Sequence, residues 1–138
     1  MPDNKKIDLS IYRLEKAKET CQTAFENTTN LKYSDANNRA YYSIFHSIRA
    51  VLALDGVDFN KHSAVISYFR EKYIKTGLFD KKYSDIIGKA NIVRSKSDYE
   101  DFYISTKNEA VEQANNAKIF LNAVTEYIDK YLQNIKCQ

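Results

Sequence analysis

Three glycines and one proline leave this chain of 138 residues almost without helix breakers, and the proline stands at position 2. Proline costs about 3 kcal/mol and glycine about 1 kcal/mol in a helix interior relative to alanine. Their scarcity therefore permits long uninterrupted helices. Eleven Tyr and seven Phe supply ample surface to bury, which argues against a disordered chain. The length suits one domain over residues 1–138 with a real core. The expected fold class is all-α.

Apolar periodicity places the helices. Ile7, Ile11, Leu14, Ala17, Cys21 and Ala24 recur at steps of three and four, one stripe of a helix from about Lys5 to Asn27. The run Asn27-Thr28-Thr29-Asn30 favours side-chain hydrogen bonds to the backbone and reads as a loop. A second helix, capped by Ser34 or Asp35, continues to Leu54, and Gly56 suits a left-handed position after it. A third runs from about Ser63 to Lys75, with Gly77 marking its stop. Asp80 can cap a fourth over Lys81 to Val93. Arg94 to Phe102 is the least periodic and most polar stretch, so a loop or helix end is expected there. The last helix, from about Ser105 to Ile135, carries Ala110, Ala114, Ala117, Leu121, Val124, Ile128 and Leu132 on one stripe. Five helices with short connections imply an up-and-down bundle whose body is helices one, two and five.

Charge excludes little. The formal net charge is +3, less lopsided than a dedicated DNA-binding domain. Cys21 and Cys137 have no metal-binding or redox spacing and read as free thiols in a reducing compartment. The polar N-terminal segment has no secretory signal, and no run approaches the roughly 20 apolar residues of a membrane span. The expectation is a cytoplasmic protein with no membrane partner.

Familiar catalytic signatures are missing. Three scattered glycines make no phosphate loop. The two histidines, His46 and His62, belong to no Cys/His cluster and no Glu-x-x-His pair, so neither a metal nor a cofactor is expected. What remains is polar chemistry at two places. In Asn38-Arg39-Ala40-Tyr41-Tyr42-Ser43-Ile44-Phe45-His46-Ser47-Ile48-Arg49-Ala50, the residues Arg39, Tyr42, His46 and Arg49 fall three or four apart, one above another on a helix. In the second, Arg94-Ser95-Lys96-Ser97-Asp98-Tyr99-Glu100-Asp101-Phe102-Tyr103, Arg94 and Lys96 are phosphate donors. Asp98 suits an imidazole or a ribose hydroxyl, and Tyr99 and Tyr103 suit a base. The same residues also admit a plain reading: His46 as a core histidine, the aromatics as packing, and Arg94 with Asp98 as an intrahelical ion pair.

These two segments resemble the HEPN domain family of nucleotide-binding proteins, with similarity over roughly Ile7 to Val124. The stretch Asn38 to Leu52 looks like the family's second-helix signature. Lys61-His62-Ser63-Ala64-Val65-Ile66-Ser67-Tyr68-Phe69 and Ile74-Lys75-Thr76-Gly77-Leu78 resemble the segment that follows. Arg94 to Phe102 is similar to the Arg…Asp-Tyr stretch of a bacterial subgroup. The resemblance implies a helical bundle that forms homodimers. Many members act as the toxin of a toxin–antitoxin pair beside a minimal nucleotidyltransferase. Active members are metal-independent endoribonucleases whose site is an Arg followed, after four to six residues, by a His. Here Arg94 is in place, but Tyr99 follows the gap of four and no His comes after it.

Three functions stay open at this level. The leading one is binding of nucleotide or RNA, with Arg94 and Arg39 on phosphate, Tyr99 or Tyr42 on a base, and His46 and Asp98 adding hydrogen bonds. The second is a ribonuclease using Arg94 with His46 standing in for the missing histidine. The third is a dimerisation module without ligand.

Overall fold

The computed structural model describes residues 4–136. It contains α1 (Asn4–Thr29), α2 (Tyr33–Leu54), α3 (His62–Phe69), α4 (Lys82–Tyr99) and α5 (Lys107–Lys136). The helix α3 runs straight into one π-helical turn, Arg70–Ile74. No strand occurs among the described residues. Cys137 lies outside them.

The bundle is built around α2. Its buried residues, among them Ala36, Ala40, Ile44, Ile48, Val51 and Leu54, lie on nearly every side. A helix buried on all but one face belongs in the middle of a protein, and α2 packs against α1, α5, α4 and α3. The stripe of α5 is buried as its spacing predicts, from Ala110 and Ala114 through Leu121 to Ile128, while Leu132 is only half-buried. Burying each large side chain contributes about 1.5–3 kcal/mol.

The stripe of α1 differs from its sequence reading at one point. Ile11 is 42% exposed, and Ser10 takes the buried position beside it. The α1–α2 seam is lined by small residues, Ala17 and Ala24 against Ala40, Ser43 and Ala50. Ser10 Oγ donates to the Ala50 carbonyl at 2.7 Å, and Ser43 Oγ donates back to the Ala17 carbonyl at 2.8 Å. Two helices this close have room for a hydroxyl but not for an isoleucine.

A second cluster of rings closes the far end. Phe69 meets Phe79 at 5.1 Å and Phe120 at 5.7 Å between centroids, and Tyr73 meets Tyr127 at 5.8 Å. The Tyr73 hydroxyl donates to Asp55 at the end of α2. Burial and that carboxylate hold the Tyr73 phenol far above its ordinary range.

Turn chemistry follows the sequence in most places. Gly56 and Gly77 adopt φ of 71° and 84°, the left-handed region open to glycine. The Lys82 amide donates to Asp80 Oδ1 at the start of α4. At α5 the Glu109 amide donates to Thr106 Oγ1, so Thr106 caps the helix. The α2 cap is different: Lys32 occupies the position without a side-chain bond. Ser34 is instead spent on α4 and its loop, bonding the Ser97 carbonyl at 3.3 Å and Ser105 Oγ at 3.2 Å.

The helix end expected within Arg94 to Phe102 is there, but it falls six residues beyond the expected Val93. The helix α4 continues to Tyr99 and turns out only at Glu100. Its polar residues are matched by polar residues on α2: Asn37 Nδ2 donates to Ser97 Oγ at 3.1 Å, and Asn38 Nδ2 donates to Asp98 Oδ2 at 2.8 Å. A polar interhelix seam has no apolar period, which is why the segment reads as loop. The consequence for function is direct, because Arg94 is held on a helix rather than on a mobile connection.

Candidate functional site

Arg94 projects from α4 onto the aromatic face of α2. Its guanidinium carbon lies 4.3 Å from the Tyr41 ring centroid, 5.9 Å from Tyr42 and 6.0 Å from Tyr99. Asn91, one turn earlier, accepts from Arg94 Nη2 at 3.0 Å. Nε is buried without a partner. No carboxylate forms an ion pair with Arg94 among the described residues. The intrahelical pair with Asp98 that the plain reading admits is not made; Asp98 accepts from Asn38. A half-buried cation stacked on rings, with no counter-ion, is arranged to receive an anion.

The imidazole coupled to this cation is His62, at the start of α3. Its Nδ1 lies 2.9 Å from the Tyr41 hydroxyl. The ring stacks on Phe45 at 4.0 Å and stands edge-on to Tyr42 at 5.8 Å. Burial, then the positive charges of Arg94 and Arg49, push the His62 pKa below its ordinary value. The ring is therefore neutral at pH 7 and able to accept a proton. Burial raises the Tyr41 phenol more than Arg94 lowers it, so Tyr41 keeps its proton. His62 Nε2 has no hydrogen-bond partner among the described residues.

His46 is held in different company. It lies 6.2 Å from Tyr42, between centroids, and the cations that act on it are Lys16, Arg49, Arg39 and Arg13. Burial first, then those charges, push its pKa down to about 4. Asp58 neutralises part of this group, pairing with Arg49 at 2.7 Å and Arg13 at 3.1 Å.

A HEPN domain family model matches residues 11–127. The chain belongs to the HEPN family. It is 33% identical over 116 residues to a protein of Methanocaldococcus jannaschii named "Putative toxin MJ0142", covering 83% of this chain and 78% of the relative. A second protein of that organism, "Putative toxin MJ0605", is 33% identical over 94% of this chain and 96% of its own length. A UPF0332 protein of Thermotoga maritima is 27% identical over 91% of this chain and 96% of its own length. Among solved structures, the archaeal HEPN homologue ST0689 superposes with a TM-score of 0.62 at 19% identity, covering 86% of this chain and 97% of that one. That likeness shows the HEPN fold.

In this HEPN chain Arg39, Tyr42, His46, Arg94, Asp98 and Tyr99 are linked by contacts into one surface. Tyr42 is its middle, touched by Arg94, by Arg39 at 5.2 Å and by His46. Arg39 Nη2 donates to Asn38 Oδ1 at 2.6 Å, and Asn38 in turn holds Asp98. Tyr99 is 74% exposed, an open ring beside Arg94. Tyr103 is tied elsewhere, donating to Glu109 at 2.5 Å, which with burial lifts its phenol to about 12.

Sequence reasoning missed Tyr41, Asn91 and His62 as members of the site. Tyr41 is 1% exposed and looks like packing, which it is; its hydroxyl alone reaches out. The signal for His62 was its place in the second motif segment, immediately before the apolar period of α3. No group of three or more potential metal ligands occurs among the described residues, and no helix there is long and apolar enough to cross a membrane.

Proposed function

We propose that this HEPN domain binds the phosphate of a nucleotide or of RNA at Arg94. One observation carries the reading: a guanidinium stacked at 4.3 Å on Tyr41, with no carboxylate paired to it among the described residues. Phosphate would supply the missing counter-charge, and the exposed Tyr99 ring beside it suits a base. Arg39 adds a second cation at the far side of Tyr42, with His46 and Asp98 as polar neighbours. Two relatives carry the word toxin in their names, which supports a toxin-type role; the homodimer and the nucleotidyltransferase partner are part of the same proposal and rest on the family resemblance alone. Calorimetry with a panel of nucleotides and short RNAs tests the binding. Arg94→Ala should weaken it at least tenfold, and wild-type protein that binds none of the panel below millimolar overturns the reading.

A second reading, metal-independent RNA cleavage, is favoured by the Tyr41–His62 contact. With Nδ1–H donating to the Tyr41 oxygen, His62 Nε2 would be the acceptor nitrogen, and the proton of a ribose 2′-hydroxyl would pass to it as the 2′-oxygen bonds to phosphorus. The P–O5′ bond breaks and the 5′-oxygen takes a proton from water, leaving a 2′,3′-cyclic phosphate and a 5′-hydroxyl. Arg94 would stabilise the charge on the phosphorane. This assigns to His62 the part that the sequence left to His46. Cleavage in EDTA that is lost in His62→Ala but kept in His46→Ala supports it; the reverse pattern returns the role to His46.

A further inference from the structure

Next to Arg94, between α3 and α4, lies a small polar cavity of about 160 Å³ lined by Ser63, Ser67, Arg70, Gly88 and Asn91, with Ile66 and Ile87 at its floor. From this cavity we infer a second phosphate subsite, which takes the phosphodiester adjacent to the one at Arg94 on a single strand of RNA. The inference rests on the reading of Arg94 as a phosphate ligand for its register along the strand, but the cavity has its own evidence.

Arg70 supplies the charge. It makes no ion pair with any described carboxylate. Its Nε donates to Ser84 Oγ at 3.0 Å and its Nη2 to the Ser84 carbonyl at 3.1 Å. These two bonds fix the plane of the guanidinium and leave Nη1 without a partner among the described residues. Gly88 gives the guanidinium close room: a Cβ there would lie 3.2 Å from Arg70 Nη2 and would push it back by a few tenths of an ångström. The backbone helps as well. The Lys75 amide bonds the Arg70 carbonyl at 2.8 Å, an i to i+5 step, so the π turn begins at the arginine itself. Such turns recur at functional sites.

The rest of the lining suits the same ligand. Ser63 and Ser67 lie one turn apart on α3, both exposed, and neither hydroxyl has a partner among the described residues. No carboxylate lines the cavity. Hydroxyls, one amide and one cation around a space of this size fit a phosphate and do not fit an apolar or cationic group. Asn91 joins the two subsites: it lines the cavity while its Oδ1 holds Arg94. Gly88, Asn91 and Arg94 fall three apart along α4, and His62 begins the helix that carries Ser63 and Ser67. A strand in the groove between α3 and α4 would therefore meet Arg94 and His62 at one phosphate and Arg70 at the next.

The test compares UMP, with one phosphate, and UpUpU, with two linked phosphodiesters, on wild type, Arg70→Ala and Ser67→Asp. Ser67 is exposed, so its variant places a carboxylate in the cavity without disturbing the fold and answers the question even where Arg70→Ala unfolds. Both variants should bind UpUpU at least fivefold more weakly and leave UMP within twofold. The slope of log K against log salt for UpUpU should fall by about 0.7, one phosphate contact of a single strand. Unchanged UpUpU affinity in both variants overturns the subsite. An equal loss of UMP and UpUpU overturns it too, since Arg70 would then act only by holding α3 to α4. Inorganic phosphate separates this inference from the Arg94 reading. In wild type it should shift the backbone amide signals of Ser67 and Gly88, and in Arg70→Ala it should not. If Arg94→Ala keeps full UMP affinity while those amides still respond, the Arg94 assignment fails and the anion site stands. No amide response in wild type removes the site.

Discussion

Arg94 and His62 are joined through a single residue: the arginine lies on the Tyr41 ring, and the Tyr41 hydroxyl meets His62 Nδ1 at 2.9 Å. A cation, a phenol and an imidazole from three different helices thus form one chain of contacts. Tyr41→Phe removes the hydroxyl and keeps the ring under Arg94. The cost should be about 0.5–1.5 kcal/mol, one hydrogen bond, read as a shift in urea midpoint without a change in slope. The His62 imidazole signals in NMR should move, and those of His46 should not. Equal movement of both rings would mean that Tyr41 acts on the whole helix and not on this contact.

The pH dependence of any RNA cleavage follows from the direction of the His62 shift. A base works unprotonated, and burial with Arg94 holds this pKa below its ordinary value of 6.5. Cleavage should rise with pH on the acid side of neutrality and be level above pH 7. Arg94→Gln removes one of the opposing charges, so the rising limb should move to higher pH even as the rate falls. A limb that stays in place in Arg94→Gln would disconnect the two residues.

His46 bears on stability rather than on that limb. In the unfolded chain it takes up a proton near 6.5, whereas in the fold it resists until about 4. Between those values the unfolded state binds more protons, so stability rises with pH across the window and is fully present above it. Melting temperature should fall as pH drops from 7 to 4. His46→Gln should flatten part of the fall. Added salt should do the same, because Lys16, Arg49, Arg39 and Arg13 act through screened charge. A variant that melts as wild type does at both pH 7 and pH 4.5 would remove His46 as the source.

How far the sequence could be read depended on where polarity was used. The scarcity of breakers and the stripe of α5 led directly to the bundle, because burial of apolar residues leaves a period. Gly56 and Gly77 were legible because positive φ selects the residue. Where packing uses polar atoms, no period survives. Ser10 replaces Ile11 in the α1 seam, and Asn37, Asn38, Ser97 and Asp98 join α2 to α4. Arg94 was visible as a residue, with Tyr42 and Tyr99, but the rest of its surroundings was not. Tyr41 and His62 come to it from two other helices, and only folding sets those distances.

The α2–α4 seam carries a further expectation. Asn37 is 1% exposed, and its Nδ2 donates to Ser97 Oγ and to Glu109 Oε1, each at 3.1 Å. Asn37→Ala removes both bonds, while Ser97 Oγ keeps Ser105 Oγ and Glu109 keeps the Tyr103 hydroxyl. The loss should be about 0.5–1.5 kcal/mol, the net worth of a hydrogen bond whose partners are not left orphaned. Amide exchange should quicken in Ser97 to Tyr99 more than in α5. Uniform quickening through the bundle would show that Asn37 serves the core as a whole.

The reciprocal serines of α1 and α2 give the sharpest packing test. Ser10→Ala deletes the bond to the Ala50 carbonyl and adds no atoms, so it should cost about 0.5–1.5 kcal/mol. Ser10→Leu must also fit three further carbons against Ala50, which is fully buried. Overpacking of this kind costs about 1–3 kcal/mol, added to the lost bond. The order of urea midpoints should therefore be wild type, Ser10→Ala, then Ser10→Leu. On a seam held open by larger residues the leucine would instead gain buried apolar area and outrank the alanine. A leucine variant as stable as wild type would mean that α1 does not approach α2 at Ser10, and the shift of the buried stripe from Ile11 to Ser10 would lose its cause.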